Sequence, residues 1–118
     1  MKFNIVIYAK ADGTEPTAEF LNSLGEKMHA KALLKISILG ELGNELREPD
    51  TKYLGDGILE LRIQQSNNIS RILYFFMQGR KIVLTHGFIK KTQKTPAKEI
   101  RRCKKYRKDY IARMEGML

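Results

Sequence analysis

The chain predicts an α+β fold: a small antiparallel β-sheet with an N-terminal helical hairpin packed on it and a basic C-terminal helix, in the order βααβββα. Three observations predict it. Between residues 58 and 90, three runs rich in Ile, Leu, Phe and Tyr are separated only by Ser66-Asn67-Asn68 and Gln78-Gly79, and turns that short join neighbouring antiparallel strands. Residues 16–46 instead repeat apolar side chains at helical spacing. Pro96 then opens a stretch dominated by Lys and Arg, with Ile100, Cys103, Tyr110, Ile111 and Met114 as a sparse apolar stripe.

The elements follow in order. Phe3 to Ala9 alternates around Ile5, Val6, Ile7 and Tyr8 and reads as a strand. Asp12-Gly13-Thr14 is a turn. Pro16 favours a first helical turn, and Phe20, Leu21 and Leu24 give that helix its apolar side. Gly25 punctuates it, and a second helix is expected from Glu26 to Leu46, ended by Glu48-Pro49-Asp50. Gly55-Asp56-Gly57 leads into the strand Ile58 to Gln64, followed by the strands Ile69 to Met77 and Arg80 to Lys90. The last helix runs from Pro96 to about Met114, with Thr95 as its expected N-cap.

At 118 residues the chain makes one domain, 1–118, with 42% hydrophobic residues to form a core. It has no apolar run of about 18 residues, the length a membrane-spanning helix needs. Met1 to Tyr8 is too short and too alternating for a signal-peptide core. The single Cys103 excludes an internal disulfide and a multi-cysteine zinc site, and fits the cytoplasm. His29 and His86 are the only imidazoles, so neither a metal nor a small-molecule cofactor is expected.

The net charge of +9 is unevenly placed. Residues 1–60 carry 7 Lys/Arg against 10 Asp/Glu, and residues 61–118 carry 15 against 3. A one-sided positive field of that size predicts a polyanionic partner. Lys94, Lys98, Arg101, Arg102, Lys104, Lys105 and Lys108 crowd the end of the last strand and the helix after it. They are the candidate contacts to RNA.

Alternation along a strand puts Glu60 and Arg62 on one face, and Arg71 and Leu73 on one face of the next strand. If Ile63 pairs with Ser70 across the first hairpin, Arg62 stands opposite Arg71. If Gln78-Gly79 is a two-residue loop, Arg71 stands opposite His86, and Arg62, Arg71 and His86 cross three strands in a row. Like charges directly opposite each other are destabilising, unless an anion lies between them or Glu60 neutralises Arg62 from two residues away. On the first alternative, Arg71 should be replaceable by Ala without unfolding the domain. Neighbouring arginines would favour a neutral His86, able to accept a proton or orient a hydroxyl.

Nothing in the chain reads as a nucleophile triad, a phosphate loop or an acidic two-metal cluster. Metal-free cleavage of RNA is the chemistry compatible with what is present. RNA carries its own nucleophile, the 2′-hydroxyl. An enzyme then needs to align it, stabilise charge on the phosphorane-like transition state and assist proton transfer.

Gly57-Ile58-Leu59-Glu60-Leu61-Arg62, Ser70 to Phe76 and His86 to Pro96, in this spacing and in the βααβββα order, resemble the RelE/ParE toxin superfamily in its HigB-like, phage-type branch. The resemblance implies a RelE-like fold and the toxin of a type II toxin–antitoxin system. Its activity would be ribosome-dependent endoribonuclease cleavage of messenger RNA, an inhibition of translation. The implied partners are the ribosome, the mRNA and an antitoxin that often bears a helix-turn-helix. Arg71 matches the phosphate-contacting arginine, Lys90 and Lys91 the basic pair ending the following strand, and Arg62 the arginine of the Glu-Leu-Arg block. Lysines that RelE places near the positions of Ile58 and Glu60 are missing here, and neither Tyr106 nor Tyr110 aligns convincingly with RelE's C-terminal tyrosine, so the general acid and base stay open. Two other functions remain: a ParE-like inhibitor of DNA gyrase on the same fold, and a non-catalytic RNA-binding module.

Overall fold

A computed structural model describes residues 2–89 and 94–116. The strand β1 (Asn4–Ile7) leads to helices α1 (Pro16–Ser23) and α2 (Glu26–Leu42), and a 3-10 turn covers Gly43–Glu45. Strands β2 (Thr51–Gly55), β3 (Ile58–Gln65), β4 (Asn68–Met77) and β5 (Lys81–Ile89) follow, then helix α3 (Ala97–Gly116). The five strands form one sheet in the order β1-β5-β4-β3-β2. β1 joins β5 in parallel, and the other three pairings are antiparallel.

The sheet is sandwiched. On one face Leu61, Ile63, Ile72, Tyr74, Ile82 and Leu84 pack under Leu21, Met28, Ala32 and Leu39 of the helical hairpin. On the other, Ile58 and Leu73 pack against Cys103 of α3, while Tyr8, Phe75 and Val83 meet Tyr106 and Tyr110. The sparse apolar stripe of the basic helix is therefore its docking face. Gly87 allows the hairpin to come close: a Cβ there would stand 2.2 Å from the ring of Phe20.

The structure corrects the expected elements in four places. The order is βααββββα, because Thr51–Gly55 forms an edge strand. Gly55-Asp56-Gly57 is the turn between β2 and β3, with φ of 99°, 53° and 79°, and not a lead-in. Helix α2 stops at Leu42 and not at Leu46, since Gly43 takes φ +55° and its missing Cβ would lie 2.1 Å from Phe3. Helix α3 starts at Ala97, and Thr95 gives its hydroxyl proton to Glu60 Oε2 rather than to a cap.

The fourth correction concerns register. Ile63 does pair with Ser70, and Arg62 with Arg71. The second hairpin, however, pairs Met77 with Lys81. Arg80 leaves the ladder with φ +57°, because β1 holds it: its Nε donates to Lys2 O at 2.6 Å and its guanidinium lies 4.6 Å from the Phe3 ring. A bulge at Thr85 adds a second shift, with the Thr85 hydroxyl donating to Leu73 O at 3.1 Å. Arg71 therefore pairs with Phe88, and His86 with Leu73. Two single-residue shifts preserve the face, so His86 stays on the arginine side but one pair along.

Candidate functional site: a buried Arg–Glu cluster beneath a basic helix

The face under α3 carries the charged residues expected from the sequence, bound to partners that the sequence only partly announced. Glu60 is the hub. Its Oε1 accepts from Arg62 Nε at 2.7 Å and lies 3.8 Å from Arg71 Nε. Its Oε2 accepts from Thr95. Glu60 and Arg71 have no exposed side-chain surface, and Arg62 keeps 17%. The opposed arginines are thus neutralised by a carboxylate inside the protein. Burial lowers the Arg71 pKa and the Arg62 charge adds to this, while Glu60 opposes both. Arg62 is the member of the cluster that reaches solvent.

His86 forms a second group. Its Nε2 stands 3.1 Å from Glu99 Oε1, and its Nδ1 lies 3.2 Å from the Thr85 hydroxyl oxygen. Arg102 Nη1 lies 3.6 Å from the same Glu99 oxygen. Burial is the main cause pushing the His86 pKa down, with Arg102 a minor one, and the Glu99 carboxylate pulls the other way. The imidazole is neutral at neutral pH. With its proton on Nε2 facing Glu99, Nδ1 is left against Thr85.

The structure brings Arg62 and Arg71 into contact range of one carboxylate and sets His86 in a separate group on the same face. Lys90 and Lys91 lie outside the described residues. Lys94 is exposed beside Lys52, Thr95 and Ile100, around a cleft of about 340 Å³. Lys98, Arg101, Lys105 and Lys108 are exposed at intervals of three and four along α3, which makes them one outward stripe. Arg102 is half exposed over Glu99. Lys104 departs from the stripe and binds Asp56 Oδ2 at 2.7 Å, while Arg107 donates to Asp56 O, so these two tie α3 to the β2–β3 turn.

Three participants escaped the sequence reading. Lys52 stands opposite Glu60 on β2, and missing that strand meant missing the lysine. Glu99 and Asp109 are the only acids between residues 90 and 113, and both turn inward. Glu99 holds His86, and Asp109 accepts from the Tyr8 hydroxyl at 2.6 Å. An isolated acid in a basic helix was a signal for both. Cys103 is buried, with its thiol pKa raised by burial. Among the described residues no group of three His, Cys, Asp or Glu is placed to hold a metal ion, and no helix is long and apolar enough to cross a membrane.

A model of the phage-derived Gp49-like proteins (DUF891) matches residues 19–108, from α1 through most of α3. The chain belongs to the Gp49-like family. That family is of the RelE toxin type, and the fold, a mostly antiparallel five-stranded sheet with three helices, is consistent with a small RelE-like domain. Membership in the Gp49-like family points to the toxin half of a toxin–antitoxin pair, and so to an antitoxin as partner. No curated protein matches the chain significantly.

Proposed function

We propose that this Gp49-like protein is a toxin of the HigB-like branch that cleaves messenger RNA on the ribosome through the RNA's own 2′-hydroxyl. The observation that carries this reading is the cationic surface of α3, lying over the same sheet face as Arg62, Arg71 and His86. The outward stripe Lys98, Arg101, Lys105 and Lys108 provides the electrostatic grip on ribosomal RNA. Arg62, at the solvent edge of the Glu60 cluster, supplies a guanidinium to the scissile phosphate, joined by Lys90, Lys91 and Lys94 from the strand end. Arg71, buried behind it, fixes Glu60 and hence the aim of Arg62. His86, neutral and oriented by Glu99, is the group suited to proton transfer. Preorganised cations of this kind act where charge develops in the transition state.

The chemistry of the ends tests this. In a purified translation system treated with EDTA, with polyamines keeping the ribosomes intact, cleavage should persist and leave 2′,3′-cyclic or 3′-phosphate ends. Ends bearing 3′-hydroxyl groups would contradict attack by the internal hydroxyl.

A second reading has an observation in its favour. Glu60 neutralises both sheet arginines, as expected if the cluster only stabilises a ParE-like gyrase ligand. In that case transcripts would stay intact while supercoiling fails, and Arg62→Ala would remain toxic.

A further inference from the structure

A second opening on the α3 side lies apart from the Glu60 cluster. The turn after β1, the start of α1, β5 and α3 enclose an open cleft of about 480 Å³. Lys10 and Arg102 stand at its walls with Tyr106 and Phe20, His86 forms its floor, and Glu19 sits at its rim. Lys10 is held by its backbone: its amide donates to Thr14 O at 2.7 Å and its carbonyl accepts from Gly13 at 2.9 Å. Its ammonium lies 6.0 Å from the centre of the Tyr106 ring. Tyr106 is fixed in turn by stacking on Tyr8 at 4.8 Å. Two cations from different elements thus converge over a buried imidazole, against aromatic walls. Glu99 is already engaged by His86 and Arg102, which leaves Glu19 as the acid opposing an anion there.

We propose that this cleft is a nucleotide subsite for single-stranded RNA. A phosphodiester sits between Lys10 and Arg102, and the attached nucleoside lies against Phe20 and Tyr106. The inference rests on the RNA reading above and extends it to Lys10, Phe20 and Tyr106. Convergent cations with an aromatic wall are what sequence-tolerant single-strand sites use.

The test needs no ribosome. A 2′-O-methyl dinucleotide, which cannot be cleaved, is titrated into the protein while the imidazole proton signals are followed by NMR. The chain has two histidines, and His29 on α2, with Nδ1 2.7 Å from Leu21 O, is the internal control. His86 signals should move and His29 signals should not. In Lys10→Glu/Arg102→Glu the response should weaken, and the salt slope of binding should fall by about 1.4, at ~0.7 per lost phosphate contact. Lys105→Glu/Lys108→Glu has the same net charge and should respond like the wild type. A silent His86, or equal weakening in both double variants, overturns the subsite. Cleavage on ribosomes with a silent His86 would reject the subsite and leave the endonuclease standing. Binding at His86 without cleavage anywhere would do the reverse.

Discussion

Glu60 and Arg71 are wholly enclosed side chains, and their burial decides what substitution does. Removing one partner of a buried pair leaves an uncompensated charge and costs about 3–5 kcal/mol. Arg71→Ala should therefore unfold at markedly lower urea concentration than the wild type, contrary to what a solvent-facing strand arginine would do. Arg62→Ala, nearer the surface, should lose activity with a smaller stability loss. Chemical denaturation beside a toxicity assay separates the two. Tyr8 offers a test by pH. Burial and the Asp109 carboxylate push its phenol from 10.0 up to about 12, so the folded state keeps a proton that the unfolded state has released. The unfolded chain binds fewer protons in that window, and stability falls as pH rises from 10 toward 12. Tyr8→Phe should flatten that part of the stability–pH curve. A curve as steep as the wild type's would remove Tyr8 as the cause.

Elements were legible where a pattern was long or a turn was short. The β3–β4 register followed from a two-residue turn, which put Arg62 opposite Arg71 with no tertiary information. The β4–β5 register did not, because contacts from β1 draw Arg80 out of the ladder and a bulge at Thr85 adds a residue. Both causes are tertiary and leave no local mark. β2 was hidden by its length of five residues and by turn residues on both sides. Close approach likewise shows only in three dimensions. Gly87→Ala would drive a methyl into Phe20; overpacking of this kind costs about 1–3 kcal/mol, and calorimetry should show Tm lowered by roughly 4–8 °C for each kcal/mol. The outward stripe of α3 gives the corresponding functional test. Lys98→Glu/Lys105→Glu/Lys108→Glu should reduce ribosome co-sedimentation and its salt dependence while far-UV circular dichroism stays native. Lys104 is left out, because it anchors α3 to Asp56.

For the whole molecule, the division of charge announced the division of labour. The acidic half builds the helical hairpin and the edge strand, and the basic half builds the opposite face. Composition and spacing reached the α+β class and the presence of a cationic face. They did not reveal that the cations on the sheet and the acids on α3 are bound to partners within the fold. Glu60, Glu99 and Asp109 find those partners across strands and layers. The measurement that tests the central claim most directly is transcript-end mapping after induction of the chain in cells, with and without active translation. The account predicts new ends within coding sequences that vanish when initiation is blocked and are lost in Arg62→Ala. Growth arrest with intact transcripts, or ends that persist without translation, would contradict it.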